Sequence, residues 1–153
     1  MKDLKTLIKD HPFFAGLDDA YLELAAGCAS NTHFKAGEYL FREGDAADHF
    51  YLLRSGRVRL EIAAPGREPV IVETIQAGEV IGWSWLFPPY LWQFDAQATE
   101  TVRATAFDGK CLRGKCAANH DLGYELAMRS AQVLMQRLQA TRLQLLDVYA
   151  ARP

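Results

Sequence analysis

Six aromatic residues crowd into twelve positions: Trp83, Trp85, Phe87, Tyr90, Trp92 and Phe94, which include every tryptophan of the chain. Rings at that density extend a core, stack on a planar, apolar ligand, or form a surface patch that anchors a protein partner, and the residue types alone leave all three open. The stretch offers little else to do chemistry with. Ser84 lies between two tryptophans with no base visible in the sequence, so it reads as a polar turn residue rather than a nucleophile. Cys111-x4-Cys116 resembles half a metal site, but zinc needs two more ligands, and His11, His33, His49 and His120 are scattered singly. No metal is expected. Cys28, Cys111 and Cys116 form an odd set without framework spacing, the pattern of reduced, buried or idle thiols. The nucleophile elbow, the phosphate loop and the zinc-protease helix motif do not occur, so no enzymatic activity is expected.

The chain that must position these residues has 153 of them, half hydrophobic and 24% charged, which suits a single globular domain over 1–153. Seventeen Lys+Arg against nineteen Asp+Glu leave a net charge of -2, so no global pull toward nucleic acid or acidic lipid is expected. The longest uncharged stretch, Val80 to Phe94, contains Pro88-Pro89 and falls short of the ~20 apolar residues a membrane helix needs. The charged N-terminus, MKDLKTLIKDHPFF, lacks the apolar core of a signal peptide, which predicts a cytoplasmic protein.

Three zones follow from the periodicity. Residues 1–31 read as helical: Leu4, Leu7 and Ile8 share one face, Pro12 breaks the ladder, Asp18 caps a second helix, and Ser30-Asn31 ends it. Residues 32–113 read as an antiparallel β-roll of eight or so strands, punctuated by glycine at 37, 44, 56, 66, 78 and 82. Val58 to Ile62 alternates, so Ile62 should face the core and Glu61 solvent. Phe50 to Leu53 and Val70 to Val72 are continuous apolar runs that predict strands covered on both faces. Residues 121–149 read as one long helix. Its seam is Tyr124, Ala127, Ala131, Leu134, Leu138, Thr141, Leu145 and Val148, in alternating steps of three and four. Such a helix outruns a small roll, and a second copy of itself is the simplest cover, so a homodimer is expected.

Taken in order, the glycine-punctuated segments carry a resemblance. His33-Phe-Lys-Ala-Gly37-Glu-Tyr-Leu-Phe-Arg-Glu-Gly44-Asp45, then Asp48-His-Phe-Tyr-Leu-Leu-Arg-Ser-Gly56-Arg-Val58, then Gln76-Ala-Gly78-Glu-Val-Ile-Gly82 and the long helix resemble the cyclic nucleotide-binding domain of Crp/Fnr-type regulators. The resemblance implies a jelly-roll-like β-roll with N-terminal helices and a C-terminal dimerisation helix. It also implies a phosphate-binding cassette, here 78–98. In ligand-binding members a glutamate follows the glycine matched by Gly82, and an arginine some nine residues on pairs with the cyclic phosphate beside a Ser or Thr. Here Trp83 takes the glutamate's place, Trp92 the arginine's and Gln93 the hydroxyl's, and no Lys or Arg occurs between Arg67 and Arg103. Asp95 adds an acid with no matching base.

A phosphate without its cation forfeits charge-assisted hydrogen bonds of about 1.5–3 kcal/mol each, so ordinary cyclic AMP binding is not expected. The candidate pocket is Gly82, Trp83, Ser84, Trp85, Trp92, Gln93 and Phe94, with Thr141 placed by the resemblance near the pocket or the seam. Arg103 and Arg113 are the cations that could reach in from elsewhere. Arg129, Arg137 and Arg142 read as a solvated helix face. Only Ala150 to Pro153 follow the helix where Crp/Fnr-type factors carry a DNA-reading domain, so a stand-alone sensor with no direct DNA contact is expected. Three functions stay open: a dimeric sensor of an unidentified small molecule, a ligand-free scaffold for a protein partner, and residual cyclic-nucleotide binding through a rearranged site. No cofactor is called for.

Overall fold

The computed structural model describes residues 3–150. Two helices open the chain, α1 (Leu4–Asp10) and α2 (Asp19–Ala26), separated by a 3-10 turn at Pro12–Phe14. The Asp3 carboxylate caps α1 by accepting the Thr6 N–H at 2.8 Å. Asp18 does occupy the N-cap of α2, but its side chain makes no capping bond. That helix also stops before Ser30-Asn31, which already belong to the first strand.

Eight strands follow: β1 (Ala29–Phe34), β2 (Tyr39–Phe41), β3 (His49–Ser55), β4 (Arg57–Ile62), β5 (Val70–Gln76), β6 (Val80–Ile81), β7 (Asp95–Ala98) and β8 (Val102–Asp108). They form two antiparallel sheets, ordered β1-β8-β3-β6 and β2-β7-β4-β5, and α3 (Gly109–Ala118) and α4 (His120–Ala150) close the fold. Gly37 and Gly56 take φ of 92° and 90°, in the turns that carry the chain from one sheet to the other, β1 to β2 and β3 to β4.

The molecule has two cores that share β3. Phe50 and Leu52 face a helical core with Ile8, Phe14, Leu22, Phe107, Leu112 and Leu126, while Tyr51 and Leu53 face the roll interior with Val58, Ile75, Ile81 and Ala104. The apolar run Phe50 to Leu53 is thus covered on both sides, as its composition predicts. Val70 to Val72 is not. All three are more than 40% exposed, at the start of the edge strand β5, which reaches the roll interior only at Ile75. The alternation of β4 also fails at its end. The register of β4 against β5 shifts by one between Leu60 and Glu61, and the extra residue, Val72, lies on β5; Glu61 is nevertheless buried, beside the Arg59 guanidinium at 3.3 Å, and Ile62 at the strand end is exposed.

The cysteine expectation is overturned as well. Cys28 and Cys111 form a disulfide, their Cα atoms 5.7 Å apart, and Cys116 alone is free. Antiparallel pairing of β1 with β8 sets Ala29 opposite Phe107 and so brings the two distant cysteines together.

Helix α4 packs on the fold through Leu122, Leu126 and Ser130, with Val133 half-buried behind them. The expected seam lies on another face: Tyr124, Leu138, Leu145 and Val148 are more than half exposed, Ala131 is exposed, and Leu134 is half-buried. From Thr141 to Ala150 every residue is exposed.

Candidate functional site

The segment from Gly82 to Phe94 leaves the short strand β6, makes turns over the end of the roll and returns as β7. Its tryptophans part company. Trp85 enters the helical core, stacked on Phe50 with centroids 4.7 Å apart. Trp92 enters the roll interior, stacked on Phe41 at 3.6 Å. Its ring lies directly against Gly82: a Cβ placed there would meet Trp92 Cη2 at 2.4 Å and Cζ3 at 2.7 Å, and φ is 98°. Ser84 is buried. Gln93 is exposed, its amide donating to the Leu91 carbonyl.

Trp83, Phe94 and Thr141 come together instead. They line a cavity of about 260 Å³ between the cassette and α4, completed by Leu134, Arg137 and Leu138 from the helix. Leu60, Ile62, Val72 and Glu73 supply its floor from the β4–β5 hairpin. The Trp83 and Phe94 rings stand 5.8 Å apart, tilted by 60°. Thr141 spends its hydroxyl hydrogen on the Arg137 carbonyl at 2.8 Å.

Arg137 is the polar centre, and it is not the solvated residue that a charged helix face suggests. Its side chain is only 11% exposed, its guanidinium carbon lies 5.1 Å from the Trp83 ring centroid, and it donates to the Val80 carbonyl. Its Nε sits 3.5 Å from Glu73, while Nη1 is buried without a hydrogen-bond partner. Burial draws the guanidinium below its ordinary value, against the opposing charges of Glu73 and Glu79. Burial also pushes the Glu73 carboxyl up, with Arg137 pulling it back and Glu79 adding to the rise. Arg137 and Glu73 also line a second hollow of about 510 Å³, toward Pro12 and Phe13, and so form the wall between the two. The i, i+4 step from Arg137 to Thr141 was the signal in the sequence that could have placed this arginine at the site.

Of the two distant cations, Arg113 does reach the cassette, but from the helical side. It donates to the Trp85 carbonyl, and its guanidinium carbon lies 4.0 Å from the Tyr90 ring centroid. Arg103 is exposed on β8, in a hollow with His33 and Arg54. Asp95 has a base after all: Arg42 Nε lies at 3.9 Å, and the Glu43 N–H donates to the carboxylate at 2.7 Å. Among the described residues no cluster of His, Cys, Asp or Glu is placed to hold a metal, and no helix is long and apolar enough to cross a membrane.

A two-sheet roll with a glycine-bounded cassette, closed by a long helix over the cassette, defines a cyclic nucleotide-binding fold. The profile of the cyclic nucleotide-binding domain matches residues 31–119, and the chain belongs to that family. A chain from Geobacter metallireducens GS-15, solved as a candidate cyclic nucleotide-binding protein, superposes with a TM-score of 0.80 at 30% identity, covering 90% of this chain and 99% of that one. The catabolite activator protein of Thermus thermophilus gives 0.70 at 25% identity, over 91% of this chain and 63% of its own. A CRP-like cAMP-activated global transcriptional regulator of Mycobacterium tuberculosis H37Rv is 24% identical over 88% of this chain and 58% of its own length. Cyclic nucleotide-gated ion channel 18 of Arabidopsis thaliana is 28% identical over 65% of this chain and 15% of its length. The chain thus spans less than two thirds of these curated relatives.

Proposed function

We propose that the chain is a non-enzymatic regulatory module that works as a homodimer and reads a small, uncharged, planar molecule in place of a cyclic nucleotide. The observation that carries this reading is the Trp92 ring against Gly82. An indole stands where the family resemblance puts the cyclic phosphate, and no cation of the cassette replaces the lost arginine. The cavity between Trp83, Phe94 and α4 supplies ring faces for a planar body. Arg137 is opposed there by both Glu73 and Glu79, so an anion gains no net field. The exposed seam of α4, from Leu138 to Val148, is covered by a second copy, which also closes the open side of the cavity.

Tryptophan fluorescence tests the ligand half. Cyclic AMP and cyclic GMP leave the signal flat to millimolar concentration. The neutral lactone coumarin quenches it saturably, and its 3-carboxylate binds at least about tenfold more weakly, or about 1.4 kcal/mol. Saturation by micromolar cyclic nucleotide overturns the reading. Light scattering tests the other half: the chain runs at twice its protomer mass, and Leu145→Asp with Val148→Asp returns it to one.

A further inference from the structure

The disulfide lies on the helix that holds the cassette. Cys111 occupies the first turn of α3, its N–H capped by the Asp108 carboxylate at 2.9 Å, and its sulfur is bonded to Cys28 at the α2–β1 junction. Two residues on, Arg113 grips the cassette through the Trp85 carbonyl and the Tyr90 ring. The start of α3 is also pressed onto Trp85, whose Cβ would lie 3.0 Å from any Cβ added at Gly109. Lys115 fastens the same helix to the Leu24 carbonyl at 2.6 Å. Helix α3 therefore connects the disulfide to the aromatic cassette.

We propose that Cys28–Cys111 is a redox-responsive clamp. Oxidised, it fixes α3 so that Arg113 holds the cassette in the arrangement described. Reduced, it frees α3, and the segment from Trp83 to Trp92 opens more often. The reductant is a dithiol. One of its thiolates attacks a cysteine sulfur, the S–S bond breaks, and the second thiol then closes the reductant's own disulfide. The two hydrogens of the dithiol end on Cys28 and Cys111, and a low-molecular-weight disulfide reverses the exchange. Cys116 does not compete: it is half-buried, and burial pushes its thiol up, which leaves it a slow attacker.

The test uses the full chain in buffers poised between reduced and oxidised dithiothreitol. Maleimide trapping and intact mass should count one reactive thiol in the oxidised protein and three in the reduced one. Hydrogen exchange across 83–92 should accelerate on reduction by about tenfold or more, the scale of losing one charge-assisted hydrogen bond. The strands should change little. Arg113→Ala, which leaves the disulfide intact, should show the fast cassette already when oxidised, and reduction should add little to it. Three reactive thiols under oxidising buffer overturn the proposal. So does equal exchange in the two redox states, a uniform acceleration over all strands, or an undiminished effect of reduction in Arg113→Ala.

Discussion

Gly82→Ala measures how tightly the cassette is plugged. The new methyl meets the Trp92 ring at 2.4 and 2.7 Å, well inside contact distance, on a backbone whose φ of 98° L side chains rarely adopt. The backbone part costs about 1–3 kcal/mol. Overpacking adds about 1–3 kcal/mol, because Trp92 is itself held by Phe41 at 3.6 Å and cannot retreat. The expected loss is therefore about 2–6 kcal/mol in urea unfolding. Trp92→Leu separates the two parts. It removes the ring, costs less than the about 3–5 kcal/mol of a truncation to alanine, and leaves space for a methyl at position 82. In that background Gly82→Ala should cost only its backbone share, giving a coupling of about 1–3 kcal/mol in the double-mutant cycle. If Gly82→Ala costs the same in both backgrounds within about 0.5 kcal/mol, the ring does not occupy the space beside Gly82. The space beside Gly82 would then be open to a cyclic phosphate.

Two more predictions concern buried charge. His11 accepts the Phe13 N–H on Nδ1, and burial holds its imidazole below the ordinary 6.5. A folded value below the unfolded one means stability that is present above the unfolded value and lost as pH falls through the folded one. Urea midpoints should therefore drop between about pH 7 and 5, and less steeply in His11→Asn, which keeps a capping oxygen but does not titrate. Equal slopes would exclude His11 as the source. Arg137→Met leaves Glu73 facing Glu79 with no counter-charge. It should destabilise, by less than the about 3–5 kcal/mol of a fully buried pair because Glu73 is partly exposed. Adding Glu73→Gln should recover most of that loss, and no recovery would mean that the ion pair is not what Arg137 serves.

The glycines and the two periodicities made the roll and the long helix legible, since positive-φ turns and alternating strands leave marks on neighbouring residues. Features set by tertiary placement left none. Glu61 keeps the face of Arg59 and Ile62 that of Leu60, but Glu61 is covered beside the Arg59 guanidinium and Ile62 is exposed at the strand end, which a period of two does not register. The disulfide depends on β1 pairing with β8, a long-range register that cysteine spacing does not encode. Trp85 and Trp92 look equivalent in the sequence, but the cassette passes the edge of a sheet with a core on each side, and each ring goes to a different one. Trp83 stays at the cavity, half-buried between the roll interior and α4.

The pairing of β1 with β8 also orders events in time. The first strand of the roll finds its neighbour in the last, so this ladder forms only after everything between has been synthesised or collapsed, and folding carries the slow signature of non-local topology. Until then α1 and α2 have no floor, because Phe107 of β8 sits beneath Phe14. A nascent chain that has not yet produced β8 therefore holds both cores open. Its exposed strand edges are the form of this protein with the most reason to meet a chaperone.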